Sequence, residues 1–322
     1  MVAAPAGTPY HRLARTELHR WWRPLVATVV AVIGWFLLQL NVGIGMGVAA
    51  GLTGVEQGTG DLLFADPLWD NAAVLLTLAL LLPGVLIAAR LVQRRPAGSL
   101  SSVTGRLRWR WLLVCMAAAM VAVALLFNLI AVFTAAAGDV PWNSMFALPS
   151  SGWADWPTFL TAAVVLVLLT PFQAAAEEYV FRGWLPQVFG SYLRAPWVGI
   201  IVAGGLFALA HGLGTPWGFA ELFLFSFVLG VLVLRTGGLE AAIAVHVVNN
   251  LFFFLLSAAF VGGLSDDGSA GIAASPWPML AAGAVVWPLY GWVILRLASR
   301  FRIARTAPEV PRRLVKAPAT TG

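Results

Sequence analysis

Charge is scarce in this amino-acid sequence. Only 11% of the 322 residues are charged and 60% are hydrophobic, whereas an ordinary soluble domain carries about 25% charged residues. This composition excludes a soluble enzyme, a disordered chain and a nucleic-acid-binding domain. The net charge of +6 is therefore attributed to anionic lipid and membrane topology. The sequence predicts a polytopic membrane protein whose partner is the lipid bilayer, and it predicts no nucleic-acid partner.

Cysteine is nearly absent, and so is the period-two alternation of membrane β-strands. The single cysteine, Cys115, lies in an apolar run, so no disulfide can form within the chain. Long apolar runs without alternation exclude a barrel and predict an all-α fold. A spanning helix needs roughly 20 apolar residues, and about eight runs qualify as transmembrane helices. These runs cover residues 24–48, 72–89, 111–137, 158–189, 197–213, 217–234, 238–262 and 278–298.

Lysine and arginine are missing from every second connection between these runs. Because basic connections stay on the cytoplasmic side, both termini are predicted to be cytoplasmic. The Ala/Arg/Trp-rich composition is typical of a bacterial chain, so we expect a multi-pass protein of the bacterial inner (plasma) membrane. The connections that lack both residues are 49–71, 138–157, 214–216 and 263–277, and the main basic stretches are 1–23, 90–110 and 296–322.

The runs and charges divide the chain into five regions. The first run also carries a stripe of three glycines spaced four apart, which we interpret as a packing surface against a neighbouring helix of the same chain. These glycines are Gly43, Gly47 and Gly51. The regions are a basic cytoplasmic tail (1–23), an N-terminal three-span region (24–157), a core (158–262), a last span (263–300) and a disordered basic tail (301–322).

Ionisable side chains are rare within the apolar runs, because burying one costs roughly 2.5–3.5 kcal/mol on insertion scales. Apart from Glu221 and Glu240, which lie near helix starts, the exceptions gather in three runs in the second half of the chain. With a rise of about 1.5 Å per residue, Glu177 and His211 each lie roughly 20 Å from the turn at 190–196, and Asn250 reaches a similar level. The sequence therefore predicts one layer in which three helices bring polar groups together.

Helical spacing orients the carboxylates of this layer. Glu178 and Arg182 are four residues apart and share a face, so the guanidinium can neutralise the carboxylate. Glu177 is turned by about 100° and is predicted to face His211. The run that carries these glutamates predicts a helix about 50 Å long, more than a membrane needs, so it must either project into the cytoplasm or break near Pro171.

His246 and Asn250 are also four residues apart and can point at one spot. Each signal alone has a structural explanation, because a Glu pair is common at a solvated helix end and His or Asn often bonds between helices. Their coincidence in one layer favours a functional site. Glu221 and Glu240 lie near helix starts, and we interpret both as structural partners of helix dipoles.

Three motifs in separate runs carry a family resemblance: E-E-x-x-x-R, F-x-x-x-H and H-x-x-x-N. Their residues are Glu177, Glu178, Arg182, Phe207, His211, His246 and Asn250. The chain resembles the CAAX protease and bacteriocin-processing (CPBP, or Abi) family of intramembrane glutamate proteases, related to the CAAX prenyl endopeptidase. The resemblance covers about 158–262, which it implies is the catalytic core, and it implies an eight-helix bundle with a site open toward the cytoplasm.

The resemblance implies an intramembrane endopeptidase and a role for each residue. Glu177 would be the general base, with His211 helping to hold and activate the water. The substrate would be a peptide or protein with a membrane-embedded or lipidated tail. The oxyanion donors would be His246 and Asn250, and the supporting residues would be Glu178 and Arg182.

Zinc is a second possibility that the resemblance raises. Glu177, His211 and His246 would supply one carboxylate and two imidazoles and leave a position open. A separate base would then be needed, and Glu178, paired with Arg182, is a poor one. We therefore expect a mechanism without a cofactor and keep zinc as the alternative.

Two other kinds of function stay open from the sequence. One is a non-catalytic membrane peptide-binding or bacteriocin-immunity protein, and the other is a transporter with a proton relay. The combination of a base and oxyanion donors favours hydrolysis over the first. Neither an inverted repeat nor a pair of broken helices is present to support the second.

Overall fold

The computed structural model describes residues 1–59, 62–142, 152–265 and 276–309, and within these ranges every regular element is a helix. The predicted all-α fold is therefore confirmed. Among these residues, seven helical spans are long and apolar enough to cross a membrane, where Pro67–Leu91 and Trp156–Tyr192 each count as one span. A shorter apolar helix, α7, occupies the remaining predicted run. The helices are α1 (Arg23–Thr53), α2 (Pro67–Ala79), α3 (Leu81–Leu91), α4 (Trp109–Ala136), α5 (Trp156–Glu178), α6 (Leu185–Tyr192), α7 (Trp197–Ala210), α8 (Pro216–Thr236), α9 (Glu240–Ala258) and α10 (Trp277–Arg300).

Three helices begin at capping residues in the connections without lysine or arginine. The Asp66 carboxylate accepts from two backbone N–H groups at the start of α2, and Asp155 and Thr215 cap α5 and α8 in the same way. Each cap is followed within two residues by a proline in the first turn, where its missing N–H removes no hydrogen bond. These local signals fix where the helices start.

Helix α9 is the centre of the bundle. It packs against α4, α5 and α8, and every residue from Glu240 to Val247 is buried. A helix that is apolar nearly all round needs such surroundings. The polar residues of α9 are therefore held on all sides by other helices.

Helix α1 lies at the periphery and packs mainly against α3. Only 11% of its most apolar stretch is buried, which suits a lipid-facing helix. The glycine stripe Gly43, Gly47 and Gly51 has open space where side chains would stand, with nothing within 4 Å among the described residues. The interpretation of this stripe as a packing surface within the chain is therefore wrong.

Three segments pack together at the end of the bundle that carries the basic connections. We call 1–22, 92–108 and 301–309 the basic-end layer. Backbone hydrogen bonds join Val2 to Arg94 and pair Gly7 and Thr8 with Ala307. The predicted disordered tail thus differs from expectation over 301–309, where the segment is folded against the N-terminal segment. The rest of the predicted disordered tail, 310–322, lies outside the described residues.

The helix that carries the paired glutamates does not break at Pro171. It runs through that proline to Glu178 and then widens into a π-helix, Tyr179–Trp184, before α6 begins. The whole span from Trp156 to Tyr192 has 37 residues. A π-helix is rare and is frequently found at functional sites, and here it follows the two glutamates directly.

Candidate active site

Glu178 and Arg182 form a buried ion pair, as their spacing predicts. Arg182 Nη1 lies 2.9 Å from Glu178 Oε1, and the two side chains are 1% and 0% exposed. The guanidinium also lies 4.1 Å from the ring centroid of Phe207 and 5.8 Å from that of Phe225. Aromatic faces attract a cation, so these contacts hold Arg182 in place from a second side.

His246 connects the first and third motifs. Its Nδ1 lies 2.6 Å from Glu178 Oε1, and its Nε2 lies 3.6 Å from Glu177 Oε2. The imidazole is 3% exposed. Because a carboxylate oxygen accepts, Nδ1 donates to Glu178, and Nε2 is the nitrogen directed at Glu177. The result is a continuous buried series of Arg182, Glu178, His246 and Glu177.

Glu177 is oriented by a glutamine one turn earlier in α5. Gln173 Nε2 donates to Glu177 Oε1 at 2.7 Å, and Gln173 Oε1 accepts from Asn250 Nδ2 at 3.3 Å. Among the described residues, Glu177 Oε2 is buried and has no hydrogen-bond partner. Gln173 therefore fixes one carboxylate oxygen, leaves the other available and ties α5 to α9. Gln173 belongs to none of the three motifs, so no role is predicted for it from the sequence.

His211 lies at the end of α7 and does not pair with Glu177 in the part of the chain that the structure describes. Its Nδ1 is 2.8 Å from the backbone oxygen of Phe207, and the two rings lie 4.6 Å apart. The prediction that Glu177 faces His211 is wrong, because Glu177 faces His246 instead. Periodicity gives the angle of a side chain on its own helix, but not which neighbouring helix occupies that angle.

The site borders a cavity of about 30 Å³, which has room for about two water molecules. Its polar lining comes from three helices and includes the second and third motifs. Its aromatic walls come from α7, α8 and α10. The polar residues are His211, Glu221, His246, Asn249 and Asn250, and the aromatic residues are Phe207, Phe225 and Trp287.

Glu221 lines this cavity, although we interpreted it from the sequence as a structural residue. It is the sixth residue of α8, past a first turn that contains no acidic residue. Its Oε1 accepts from Trp287 Nε1 at 2.8 Å. The interpretation as a helix-dipole partner is wrong. The rarity of ionisable groups in spans, which singled out Glu177, is the signal that also identifies Glu221.

Glu240 keeps the structural role predicted for it, through a stronger partner than the helix dipole. It lies in the first turn of α9, and Arg108 Nη2 and Nε donate to its two carboxylate oxygens at 2.6 Å and 2.8 Å. The same guanidinium donates to the backbone oxygens of Thr236 and Ala304. Arg108 thereby connects the start of α9, the end of α8 and the segment that follows α10.

The zinc ligands that the resemblance raised are not gathered in the structure. Within the described ranges, no three His, Cys, Asp or Glu side chains are arranged to hold a metal ion. The residues present therefore do not fit a three-ligand zinc site of the kind that Glu177, His211 and His246 would form.

The cavity lies beside the 211–215 connection, at the end of the bundle opposite the basic-end layer. His211 is the first residue of that connection, and Glu221 lies about 8 Å along α8 from Pro216. Met279, in the first turn of α10, also lines the cavity.

The buried series lies nearer the basic end, because Tyr179, next to Glu178, bonds Ser101 of the basic-end layer at 2.6 Å. If the basic end is cytoplasmic, as its charges predict, this series lies toward the side that the resemblance implies, and the cavity lining extends from His246 to the opposite end.

Comparison with known proteins agrees with the motifs. Residues 156–252 match the family described as Rce1-like, type II CAAX prenyl endopeptidase. This segment begins with α5 and ends just after Asn250, so it contains all three motifs and the buried series. The match confirms the family resemblance over this segment and points to a protease in a membrane.

Two curated bacterial proteins are similar to the chain. The "Uncharacterized protein YyaK" of Bacillus subtilis (strain 168) is 27% identical over 199 residues, which cover 59% of this chain and 62% of that protein. The "Uncharacterized 24.3 kDa protein" of Escherichia coli is 38% identical over 87 residues, 26% of this chain and 40% of that protein. The chain thus spans less than two thirds of either relative. No solved structure matches it.

Proposed function

We propose that this chain is an endopeptidase of the bacterial plasma membrane that hydrolyses peptide bonds of membrane-embedded or lipid-modified peptides. The observation that carries the proposal is the buried series Arg182, Glu178, His246 and Glu177 beside a water-sized cavity. Buried ionisable groups in a span are costly and mark functional sites by default. The family match over 156–252 supports a protease.

Glu177 is the general base in this proposal. Its Oε1 is held by Gln173, so Oε2 takes a proton from the attacking water. The water oxygen bonds to the carbonyl carbon of the substrate, and the carbonyl oxygen becomes an oxyanion. Glu177 then returns the proton to the leaving amine as the peptide bond breaks.

Asn250 and the two histidines serve the oxyanion and the water. Asn250 Nδ2, which reaches Gln173 Oε1 at a long 3.3 Å, is a neutral donor for the developing negative charge. His246 Nε2 can donate to that charge only while both ring nitrogens carry hydrogen. His211, which lines the cavity beside Phe207, orients the water or the substrate carbonyl.

The test compares membrane peptides from cells that express the wild type, Glu177→Gln or Glu56→Gln. Removal of a base costs about 10²–10⁴-fold in rate, so peptides cut by the wild type should remain whole in Glu177→Gln. Glu56 is exposed in the connection after α1, and its variant is the matched control. Full cleavage by Glu177→Gln contradicts the proposal. Peptide binding by the wild type without cleavage supports the immunity or peptide-binding alternative.

The metal question has its own test. Because the donor set does not fit three-ligand zinc, we expect purified protein to keep its activity in a strong chelator and to contain far less than one zinc per chain. Activity that a chelator abolishes and zinc alone restores contradicts the metal-free mechanism. Such a result leaves the protease function itself in place.

A further inference from the structure

Among the described residues, Glu221 is the carboxylate that lines the cavity, and the proposed mechanism does not use it. The residue is 4% exposed and lines the cavity together with His211 and His246. Its recorded partner is the indole N–H of Trp287, a neutral donor, at 2.8 Å. A buried charge is normally paired with an opposite charge, so the neutral partner of this carboxylate requires an explanation.

The arginine near the site already has partners. Arg182 is paired with Glu178 and lies against the rings of Phe207 and Phe225. Among the ion pairs of the described residues, none includes Glu221. The cavity therefore has a carboxylate in its wall that no lysine or arginine of the described chain neutralises.

The remaining walls suit a positive charge. Phe207, Phe225 and Trp287 present aromatic rings to the same cavity, and aromatic faces attract ammonium and guanidinium groups. Phe225 and Trp287 lie edge to face at 4.9 Å, which holds this wall together. A carboxylate set among aromatic rings is the environment that a cationic side chain prefers over a neutral one.

We infer that Glu221 forms a subsite for a positively charged group of the substrate, the ammonium of a lysine or the guanidinium of an arginine next to the bond that is cut. Binding of this group places the peptide beside Glu177 and completes the charge balance of the cavity. The inference rests on the proposed function for the cut, but the binding of a cation does not depend on cleavage.

The first experiment measures cleavage preference. Wild type, Glu221→Gln and Glu56→Gln in proteoliposomes are given a library of palmitoylated decapeptides randomised outside the anchor, and products are read by mass spectrometry. We expect the wild type and Glu56→Gln to favour Lys or Arg at one fixed position from the cut by about 10-fold or more, and Glu221→Gln to lose that preference. A wild type without a basic preference, or a preference that survives in Glu221→Gln, overturns the inference while the protease proposal stands.

The second experiment does not require cleavage. In a Glu177→Gln background, the affinity for one library peptide with lysine is compared with that for the same peptide with norleucine, which keeps the length and removes the charge. We expect the lysine peptide to bind about 10-fold tighter, and the difference to disappear when Glu221→Gln is added. Equal affinities in the Glu177→Gln protein overturn the inference even if no peptide is ever cut.

A second variant covers the case in which Glu221→Gln fails to fold. A methyl group on Gly283 would lie 3.0 Å from Glu221 Oε1 and 2.9 Å from Trp287 Nε1, so Gly283→Ala displaces the carboxylate and keeps its charge. We expect the lysine-over-norleucine difference to shrink at least about 3-fold in Gly283→Ala. An unchanged difference in this variant overturns the inference.

Discussion

Arg182 is the residue on which the charge balance of the buried series depends. It is the cation that faces Glu178 within the span, and it is itself 1% exposed. Burying one charge without the other costs several kcal/mol. The pair is therefore a structural requirement for the site, whether or not Arg182 touches the substrate.

Arg182→Ala should lower the free energy of unfolding by about 3–5 kcal/mol, because it leaves the Glu178 carboxylate buried without its cation. Denaturant titration in detergent measures this. Arg296→Ala is the control, since its guanidinium also lies over a ring, 5.2 Å from that of Trp292, but on the exposed surface. It should change stability by at most about 1 kcal/mol.

Adding Glu178→Gln to Arg182→Ala should restore part of the loss, since no unpaired charge then remains in the span. A stable Arg182→Ala protein that is only slow would contradict the structural role and assign Arg182 to substrate contact.

Asn250→Asp should reduce the turnover number more than Asn250→Ala does. Alanine removes a donor, which costs about 10²–10³-fold at an oxyanion site, whereas aspartate adds a negative charge that repels the oxyanion. Single-turnover cleavage of one peptide by the three proteins gives the order. If aspartate is as active as alanine or better, Asn250 does not face the oxyanion.

Individual pairs within one helix could be predicted from the sequence, and pairs between helices could not. The Glu178–Arg182 contact follows from the spacing of four residues. The contact of His246 with Glu178 depends on how α9 rotates against α5. That rotation is set by side-chain packing along the whole interface, so spacing alone assigned Glu177 to the wrong histidine.

At the scale of elements, α6 and the N-terminal segment approach each other more closely than a side chain allows. A Cβ on Gly190 would lie 1.8 Å from the backbone oxygen of His11. The same segment is held by His11 Nε2, 3.1 Å from the backbone oxygen of Arg194. Because Gly190 has no side chain, the basic-end layer can pack directly against α6, the helix that follows the site.

Gly190→Ala should displace the N-terminal segment and destabilise the protein by about 1–3 kcal/mol, as overpacking does. Trypsin, which cuts after Arg12 and Arg15, should cleave the variant faster than the wild type. Gly205→Ala in α7 is the matched control, because nothing lies within 4 Å of the added methyl among the described residues. Equal cleavage rates in all three proteins would show that the segment does not depend on this contact.

Hydropathy was enough to predict the spans, because each must be apolar over the thickness of a bilayer. The sequence did not reveal the π-helix at Tyr179–Trp184 or the continuity of α5 through Pro171. Both depend on neighbouring helices that hold the backbone in place when one hydrogen bond is lost. The ordered basic-end layer escaped prediction for a similar reason, since its segments are short and polar and are stabilised only by one another.

For the whole molecule, the charge distribution predicts which side of the membrane each part of the site faces. The basic-end layer predicts cytoplasmic termini. The buried series then lies toward the cytoplasm, and the cavity lining extends from His246 to the 211–215 connection at the opposite end. One measurement of topology tests this prediction.

In a Cys115→Ser background, we expect Thr59→Cys and Leu213→Cys to react with a membrane-impermeant maleimide in intact spheroplasts, and Arg94→Cys to react only after lysis. Leu213 is 72% exposed, and Thr59 and Arg94 are exposed as well, so each thiol is accessible on its own side. The reverse pattern would contradict the charge-based topology.

The shortness of α7 has a consequence for how a hydrolase obtains water inside a bilayer. Its 14 residues extend about 21 Å, less than the roughly 30 Å of the hydrocarbon core. A helix too short for the membrane thins the lipid around it and draws the interface inward. Headgroups and their hydration would then come close to the His211 end of α7, so that in the proposed function the attacking water reaches the site without a channel through the protein.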